Sequence, residues 1–427
     1  MTKRWVIGIF LLAASGVSMF WSVRVAYADY LARLDTPASL ERASQLMPTN
    51  ADYLTREAIL IDALNPVVTL PDERLRRALE LNPRLSEAWM AQGLRSEMHG
   101  NSAQGEKELL EAARVDGTFK PAWTLANFYL RQGNAEKFWP MAQRCLRLVE
   151  PHRDDSAGYD AEPIFDLCWR LSDSVPTIQA LAIPQHAFVH LAYVGYLINQ
   201  AKPDAAIAAW NAFRSGSGEP KSGHLSPENL LTVLGYVDFL IAQARPAEAM
   251  SAWNSAIEQG LLVGDALAPE KERSLTNGSL SRQPLDRGFD WRLPLAPSLT
   301  TKYFESEALL RFELNGDEDE HLELAWQAVP LIPGRNYSLN FKYRTEGASA
   351  GNTQTYNPAA GLHWSALNLR SQSDVFKSNE WSAGSLSFAA DPHTRLARLS
   401  LRYDRVNGTT RFKGTLSVRD LSLVFVR

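Results

Sequence analysis

Four adjacent carboxylates, Asp317-Glu318-Asp319-Glu320, are the first place to look for chemistry, because paired carboxylates are what general acid/base work requires. They follow Asn315-Gly316 and lie between two alternating runs, so they read as a solvated hairpin tip. His186 and His190 are four apart and could share a helix face, as zinc-binding histidines do. Ala187 stands where an HExxH motif has its glutamate, which leaves a zinc hydrolase without a base. Cys145 and Cys168 have neither a CxxC spacing nor a neighbouring histidine pair. They read as core thiols or, in an oxidising compartment, as a pair joining one helix to the next. GxSxG, Walker A and GxGxxG motifs are absent from the chain, whereas Asn277-Gly278-Ser279 and Asn407-Gly408-Thr409 fit a glycosylation acceptor pattern. The expectation is a binder or scaffold, not an enzyme, with no cofactor.

Composition narrows the binding classes. A net charge of -4 with 22% charged residues gives no electrostatic reason to bind nucleic acid. At 427 residues the chain has room for two or three domains. Its N-terminus suggests a membrane. Trp5 to Val23 is a run of 19 uncharged residues after Lys3 and Arg4, long enough to cross a bilayer as a helix with the rest of the chain exported. Ala26-Tyr27-Ala28 has the form of a cleavage site, so a cleaved signal peptide is the rival reading. The anchor is favoured because the apolar run exceeds a signal core and Arg24 separates it from the cleavage site. The expected location is the bacterial inner membrane, single-pass, with the bulk of the chain periplasmic.

The elements that would position any site follow a repeat. Trp89 and Trp123 are 34 residues apart, Pro83 and Pro151 twice that, and Gly100-Asn101 is echoed by Gly133-Asn134. This is the tetratricopeptide period, in which helical hairpins stack because a lone hairpin cannot bury its apolar face. A capping segment, Tyr30 to Asn50, reads as the second helix of a repeat begun by the membrane segment or its continuation. Units then run over 52–83, 86–117 and 119–151, with Gly93 as a small hole beside Trp89. The period fades over 152–184. Ala201-Lys202-Pro203 before Trp210 and Ala244-Arg245-Pro246 before Trp253 restore it, 43 residues apart, with a polar loop at Ser215 to Lys221. The sum is about five hairpins. Their concave surface would take a protein partner, with Asn127 and Arg131 as candidate contacts.

Beyond residue 268 the pattern changes. Residues 269–275 read as a charged linker, and 276–427 as strands, with Tyr337 to Arg344 alternating strictly. A change of phase between Val418 and Leu421 predicts a bulge at Arg419-Asp420. About eight short strands imply an antiparallel β-sandwich. The predicted fold is therefore multidomain, α then β: an N-terminal transmembrane helix or signal segment over 1–28, a helical solenoid over 29–268 and the sandwich.

Two resemblances follow from these residues. The helical region resembles tetratricopeptide-repeat proteins. Asn277-Gly278-Ser279-Leu280, Pro333 to Leu339, Trp381 before a strand, and Gly414 to Leu423 are similar to jelly-roll carbohydrate-binding modules of galactose-binding-like fold. Together with the anchor they resemble bacterial envelope proteins associated with exopolysaccharide production. The resemblance implies glycan binding by aromatic rings and polar neighbours. Candidates are Trp291 with Asp290 and Arg292, and Trp364 with His363, although Trp291 and Trp364 share the phase of Phe289 and Leu362, as core residues would. It also implies a structural calcium that Asp420 could hold. The implied function is a membrane-anchored adaptor binding a protein and a glycan, in exopolysaccharide assembly or export. The alternatives are a carbohydrate-active enzyme and a purely protein-docking scaffold.

Overall fold

The computed structural model describes residues 2–149, 160–215, 229–264, 266–347, 361–405 and 411–426. The chain divides into two compact units, Met1–Pro184 and Gln185–Arg427.

The first unit is a tetratricopeptide-like helical array. Its helices are α1 (Thr2–Arg33), α2 (Pro37–Leu46), α3 (Ala51–Leu64), α4 (Leu70–Leu81), α5 (Ser86–Met98), α6 (Ser102–Val115), α7 (Phe119–Arg131) and α8 (Ala135–Arg147). They pack as consecutive hairpins. The shorter α9 (Glu162–Leu171) and α10 (Val175–Leu181) follow, where the sequence period fades. Helix α1 runs unbroken from the apolar segment into the first hairpin, where Ala28 and Ala32 pack on Leu40, Ala43 and Tyr53. Arg24 Nε donates to the Leu46 carbonyl at 2.8 Å, and the Tyr53 hydroxyl donates to Asp29. The segment from Phe10 to Arg33 is long and apolar enough to cross a membrane.

The Gly-Asn echo has a physical basis. Gly100 and Gly133 sit at φ +80° and +66°, the left-handed conformation that ends a helix. The following N–H groups reach back, Asn101 to Ser96 O and Asn134 to Tyr129 O, both at 2.9 Å. The Asn134 side chain then accepts from Lys137 N at 3.1 Å and starts the next helix. Asn101 makes no such side-chain bond and opens α6 through its carbonyl, which accepts from Gly105 N at 3.0 Å, so both pairs close one helix and stand at the start of the next.

The second unit holds two further hairpins, α11 (Ala187–Asn199) with α12 (Pro203–Ser215) and α13 (Leu230–Ala242) with α14 (Pro246–Glu258). Most of the polar loop expected at Ser215 to Lys221 lies outside the described residues. The same helix stop recurs with alanine, Ala201 at φ +52° and Ala244 at φ +55°. With α1/α2 counted, the described residues contain six packed hairpins.

Strands β1 (Leu299–Phe304), β2 (Leu309–Asn315), β3 (His321–Pro330), β4 (Asn336–Gly347), β5 (Leu362–Ala366), β6 (Ser371–Gln372), β7 (Ser382–Ala389), β8 (Leu396–Asp404) and β9 (Lys413–Val426) make an antiparallel sandwich. One sheet has the order β1-β2-β9-β4-β7 and the other β3-β8-β5-β6. The pairing of β4 with β9 slips between Asn340 and Lys342, whose partners are Ser422 and Arg419, so Asp420 and Leu421 oppose Phe341 alone. This is the bulge expected from the change of phase. It turns Leu421 and Leu423 inward, beside Leu416 and Val418.

The last hairpin and the sandwich are packed together within this unit. Trp253 meets Phe289 edge-on at 5.9 Å, and Asp238 on α13 accepts from Gly288 N at 2.6 Å and from Arg292. Asn254 exchanges two hydrogen bonds with Leu267, 2.9 and 2.8 Å. The expected linker is a tight turn: Pro269–Lys271 is a 3-10 turn, Ala268 bridges to Arg273, and Glu272 accepts from Phe425 N at 3.3 Å.

Candidate functional site

An open apolar groove of about 410 Å³ lies in the first unit, between α3, α5 and α7. Its position follows from the repeat, because alternate helices of stacked hairpins line one surface. Ala58, Ile59, Asp62 and Ala63 come from α3, Glu87, Met90, Ala91, Leu94 and Met98 from α5, and Lys120 and Thr124 from α7. Ile59 is 45% exposed and Met98 61%, so the groove shows water an apolar floor that its own hairpins leave uncovered. The opposite face of α5 is spent on the array, where Gly93 and Gly105 bring α5 and α6 into backbone contact range.

Charge is confined to the rim. Lys120 Nζ meets Glu87 at 2.7 Å. Asp62 is held by Arg95, which is 3% exposed and also binds Asp72 through two bonds of 2.7 and 2.9 Å and the Pro66 carbonyl at 3.2 Å. The hydrogen bond that Arg95 donates to Asp72 raises the Arg95 pKa further, so the guanidinium stays charged and pins the α3–α4 turn at one end of the groove. The arrangement can seat apolar side chains of an extended or helical segment.

Asn127 and Arg131 do not line this groove. The Asn127 amide donates to Trp123 O of its own helix at 2.9 Å. Arg131 forks onto Glu97 with bonds of 3.0 and 2.6 Å, tying α7 to α5. The lining residues missed by sequence reasoning had a signal. Met90, Leu94 and Met98 recur every fourth residue, a second apolar stripe on a helix that already packs through Ala88 and Gly93.

The aromatic residues proposed for glycan contact lie inside the sandwich. Trp291 and Trp364 are each 1% exposed and 5.6 Å apart between ring centres, and Trp364 packs on Phe341 at 5.9 Å. Neither offers a ring face to solvent, because inward alternation and the two-sheet core enclose both. Asp290 is fully buried and does not face outward. It accepts from Trp291 N at 2.8 Å and Leu285 N at 3.3 Å, while burial raises its carboxyl pKa. Arg292 lies 4.5 Å over the Trp326 ring and binds Asp238. His363 is 6% exposed, with Nε2 at 3.3 Å from Asp404. Asp404 also meets His321 at 2.9 Å and Arg402 at 3.2 Å.

Asp420, the residue suggested for calcium, is engaged by cations. Its carboxylate faces Lys342 at 2.9 Å and Arg419 at 3.9 Å, and among the described residues no cluster of three or more His, Cys, Asp or Glu could hold a metal. Asp317 to Glu320 is not a hairpin tip, because β2 and β3 belong to different sheets. Asp317, Asp319 and Glu320 are exposed, but Glu318 turns in, fully buried, and accepts from Gly316 N at 2.8 Å. His186 caps α11 from outside, and His190 lies half-buried beside Phe213 with its pKa lowered by burial. Cys145 and Cys168 are free thiols, both buried, and burial pushes each up to about 12.

No known protein family and no curated protein matches the chain. Several solved structures are similar in fold. YrrB, described as a tetratricopeptide-repeat protein with an unusual peptide-binding site, is 12% identical and covers 52% of this chain and 93% of its own, with a TM-score of 0.25. PilF of Pseudomonas aeruginosa is 17% identical over 56% of this chain and 91% of its own, with a TM-score of 0.26. A CBM4 structure is 12% identical over 36% of this chain and all of its own, 100%, with a TM-score of 0.25.

Proposed function

We propose that the chain is a non-enzymatic, membrane-anchored adaptor of the bacterial envelope, in which the helical array seats a protein partner and the sandwich engages a glycan. The single observation behind the first half is the uncovered apolar floor of Ile59, Leu94 and Met98, bordered by fixed ion pairs. Exposed apolar side chains set in a concave surface with a charged rim are the ordinary form of a recognition groove for an apolar segment. The buried Trp291 and Trp364 move any glycan contact to the outer surface of the sandwich. A role in exopolysaccharide assembly or export is the setting in which an anchored protein and glycan binder would act, with α1 in the inner membrane and the remainder periplasmic.

The test uses the full chain in its own membrane with a photoreactive residue at Met98, and a second at the exposed Leu285 of the sandwich as control. A single protein adduct from Met98, lost with Leu94→Asp and absent from Leu285, is the expected result. Equal adducts from both positions, or an unchanged adduct in Leu94→Asp, would remove the groove from the reading.

A further inference from the structure

The outer face of the five-stranded sheet carries a line of cations. Strand pairing places Lys302 opposite Arg311, Arg311 opposite Ser417, and Ser417 opposite Arg344. The line therefore crosses β1, β2, β9 and β4 on one face. Trp381 immediately precedes Ser382, the partner of Tyr343, and so continues the line past Arg344. Arg419 and Lys342 form the next rung on the same face. The Arg344 and Arg419 guanidinium groups lie 5.3 and 4.1 Å from the centre of the half-buried Trp381 ring. With strands spaced about 4.8 Å apart, Arg311 and Arg344 are roughly 10 Å apart across Ser417.

The charges on this face do not balance. Glu313 meets Lys302 at 2.9 Å, Glu346 meets Arg344 at 2.9 Å, and Asp420 serves both Lys342 at 2.9 Å and Arg419 at 3.9 Å. Five cations thus face three carboxylates, on a chain whose net charge is -4. Arg311 has no carboxylate partner among the described residues; its Nε donates to Ser417 Oγ at 3.3 Å, and its guanidinium lies over Phe304 at 4.7 Å. The Nε groups of Arg344 and Arg419 are shielded from water and donate to nothing among the described residues. Shielded in this way, those two Nε groups are not the donors a ligand would meet; what a carboxylate could take up is the unbalanced charge of the face and the Arg311 guanidinium, which lacks a carboxylate partner among the described residues.

We infer that this face binds an acidic polysaccharide, its carboxylates met by Arg311 and by the Arg344–Arg419 pair beside Trp381. The inference rests on the reading that the sandwich takes a glycan and names its chemical class and site. A line of cations across four strands suits an extended chain carrying repeated carboxylates better than a single small anion, and the half-buried indole among them adds an apolar edge beside the charges. Neither Trp291 nor Trp364 is needed.

The test is calorimetry on the full chain in detergent micelles with three probes: polygalacturonate, the neutral polysaccharide xyloglucan, and polyglutamate. Polygalacturonate is expected to bind and to weaken as salt rises. The Arg344→Gln/Arg419→Gln variant should lose about tenfold or more, the equivalent of one charge-assisted bond. If that variant unfolds, Arg311→Gln decides, with a loss of about threefold to tenfold expected and unchanged binding overturning the site. Xyloglucan binding without polygalacturonate binding would overturn the acidic class and leave the glycan reading standing. Polyglutamate binding as tightly, with the same arginine dependence, would overturn the glycan in favour of an acidic protein. Binding of no probe would remove both.

Discussion

Replacing Gly105 by alanine should destabilise the first unit more than replacing Gly93, although the two glycines face each other. A methyl at Gly105 would lie 2.7 Å from Gly93 O and 3.2 Å from Glu97 N, both backbone atoms that move only if α5 and α6 separate. A methyl at Gly93 would meet Leu109 Cγ and Cδ2 at 2.7 and 2.8 Å, and Gly105 O at 3.0 Å. Two of those three atoms belong to the buried Leu109 side chain, and the one backbone atom, at 3.0 against 2.7 Å, is further off than at Gly105. Alanine gains about 1 kcal/mol over glycine within a helix, and overpacking costs about 1–3 kcal/mol. Backbone collision puts Gly105→Ala at the upper end, a net loss of about 1–2 kcal/mol, and Gly93→Ala between about 0 and 1 kcal/mol. Because α5 carries Leu94 and Met98, its displacement would also loosen the groove. Urea unfolding with hydrogen exchange resolved over α5 and α6 measures both effects. A Gly105→Ala protein as stable as the wild type, or less disturbed than Gly93→Ala, would show that the close approach does not govern this hairpin.

Three other outcomes follow from the same reasoning. Ala244→Gly should stabilise the second unit by about 0.5–1 kcal/mol, because alanine at φ +55° carries a left-handed penalty that glycine avoids, less glycine's extra unfolded freedom; thermal unfolding of the variant reads this directly. Asp238→Ala removes the acceptor of Gly288 N and Arg292, and should cost about 1–3 kcal/mol with faster hydrogen exchange over 285–293. Burial raises the folded thiols of Cys145 and Cys168 to about 12 from 9.0, so the folded state keeps protons that the unfolded state releases. Their contribution is complete below pH 9 and is lost as pH rises towards 12, so the Cys145→Ala/Cys168→Ala variant should lose less stability than wild type between pH 8 and about 10.5 in urea titrations.

The helical repeat was legible because its punctuation is chemical. Glycine takes the left-handed stop and asparagine the next cap, so Gly100-Asn101 and Gly133-Asn134 marked helix ends without any tertiary knowledge. The bulge was legible for a similar reason, since a strand cannot change phase without an extra residue. The groove was not. Periodicity shows that Met90, Leu94 and Met98 form a stripe, but only packing shows that another face of α5 meets α6 and leaves this one uncovered. Asn127 and Arg131 lie outside the groove and are bonded within the array, to Trp123 O and to Glu97. The acidic run misled because local pattern does not reveal that β2 and β3 enter different sheets. The link from Asp238 to Arg292 spans 54 residues and two kinds of structure, with no periodic trace.

If helix α1 anchors the chain as proposed, it is a lever as well as a tether. Its residues pass without a break from the apolar stretch to Ala28 and Ala32, which are locked between α2 and α3, so no hinge separates the two ends of the rod. Where a bilayer grips the apolar end, the tilt that matches helix length to membrane thickness also becomes the tilt of the first hairpin. The angle at which the groove meets its surroundings is then set in part by lipid thickness, and a few residues inserted after Val23 would rotate the whole first unit by about 100° each about the helix axis.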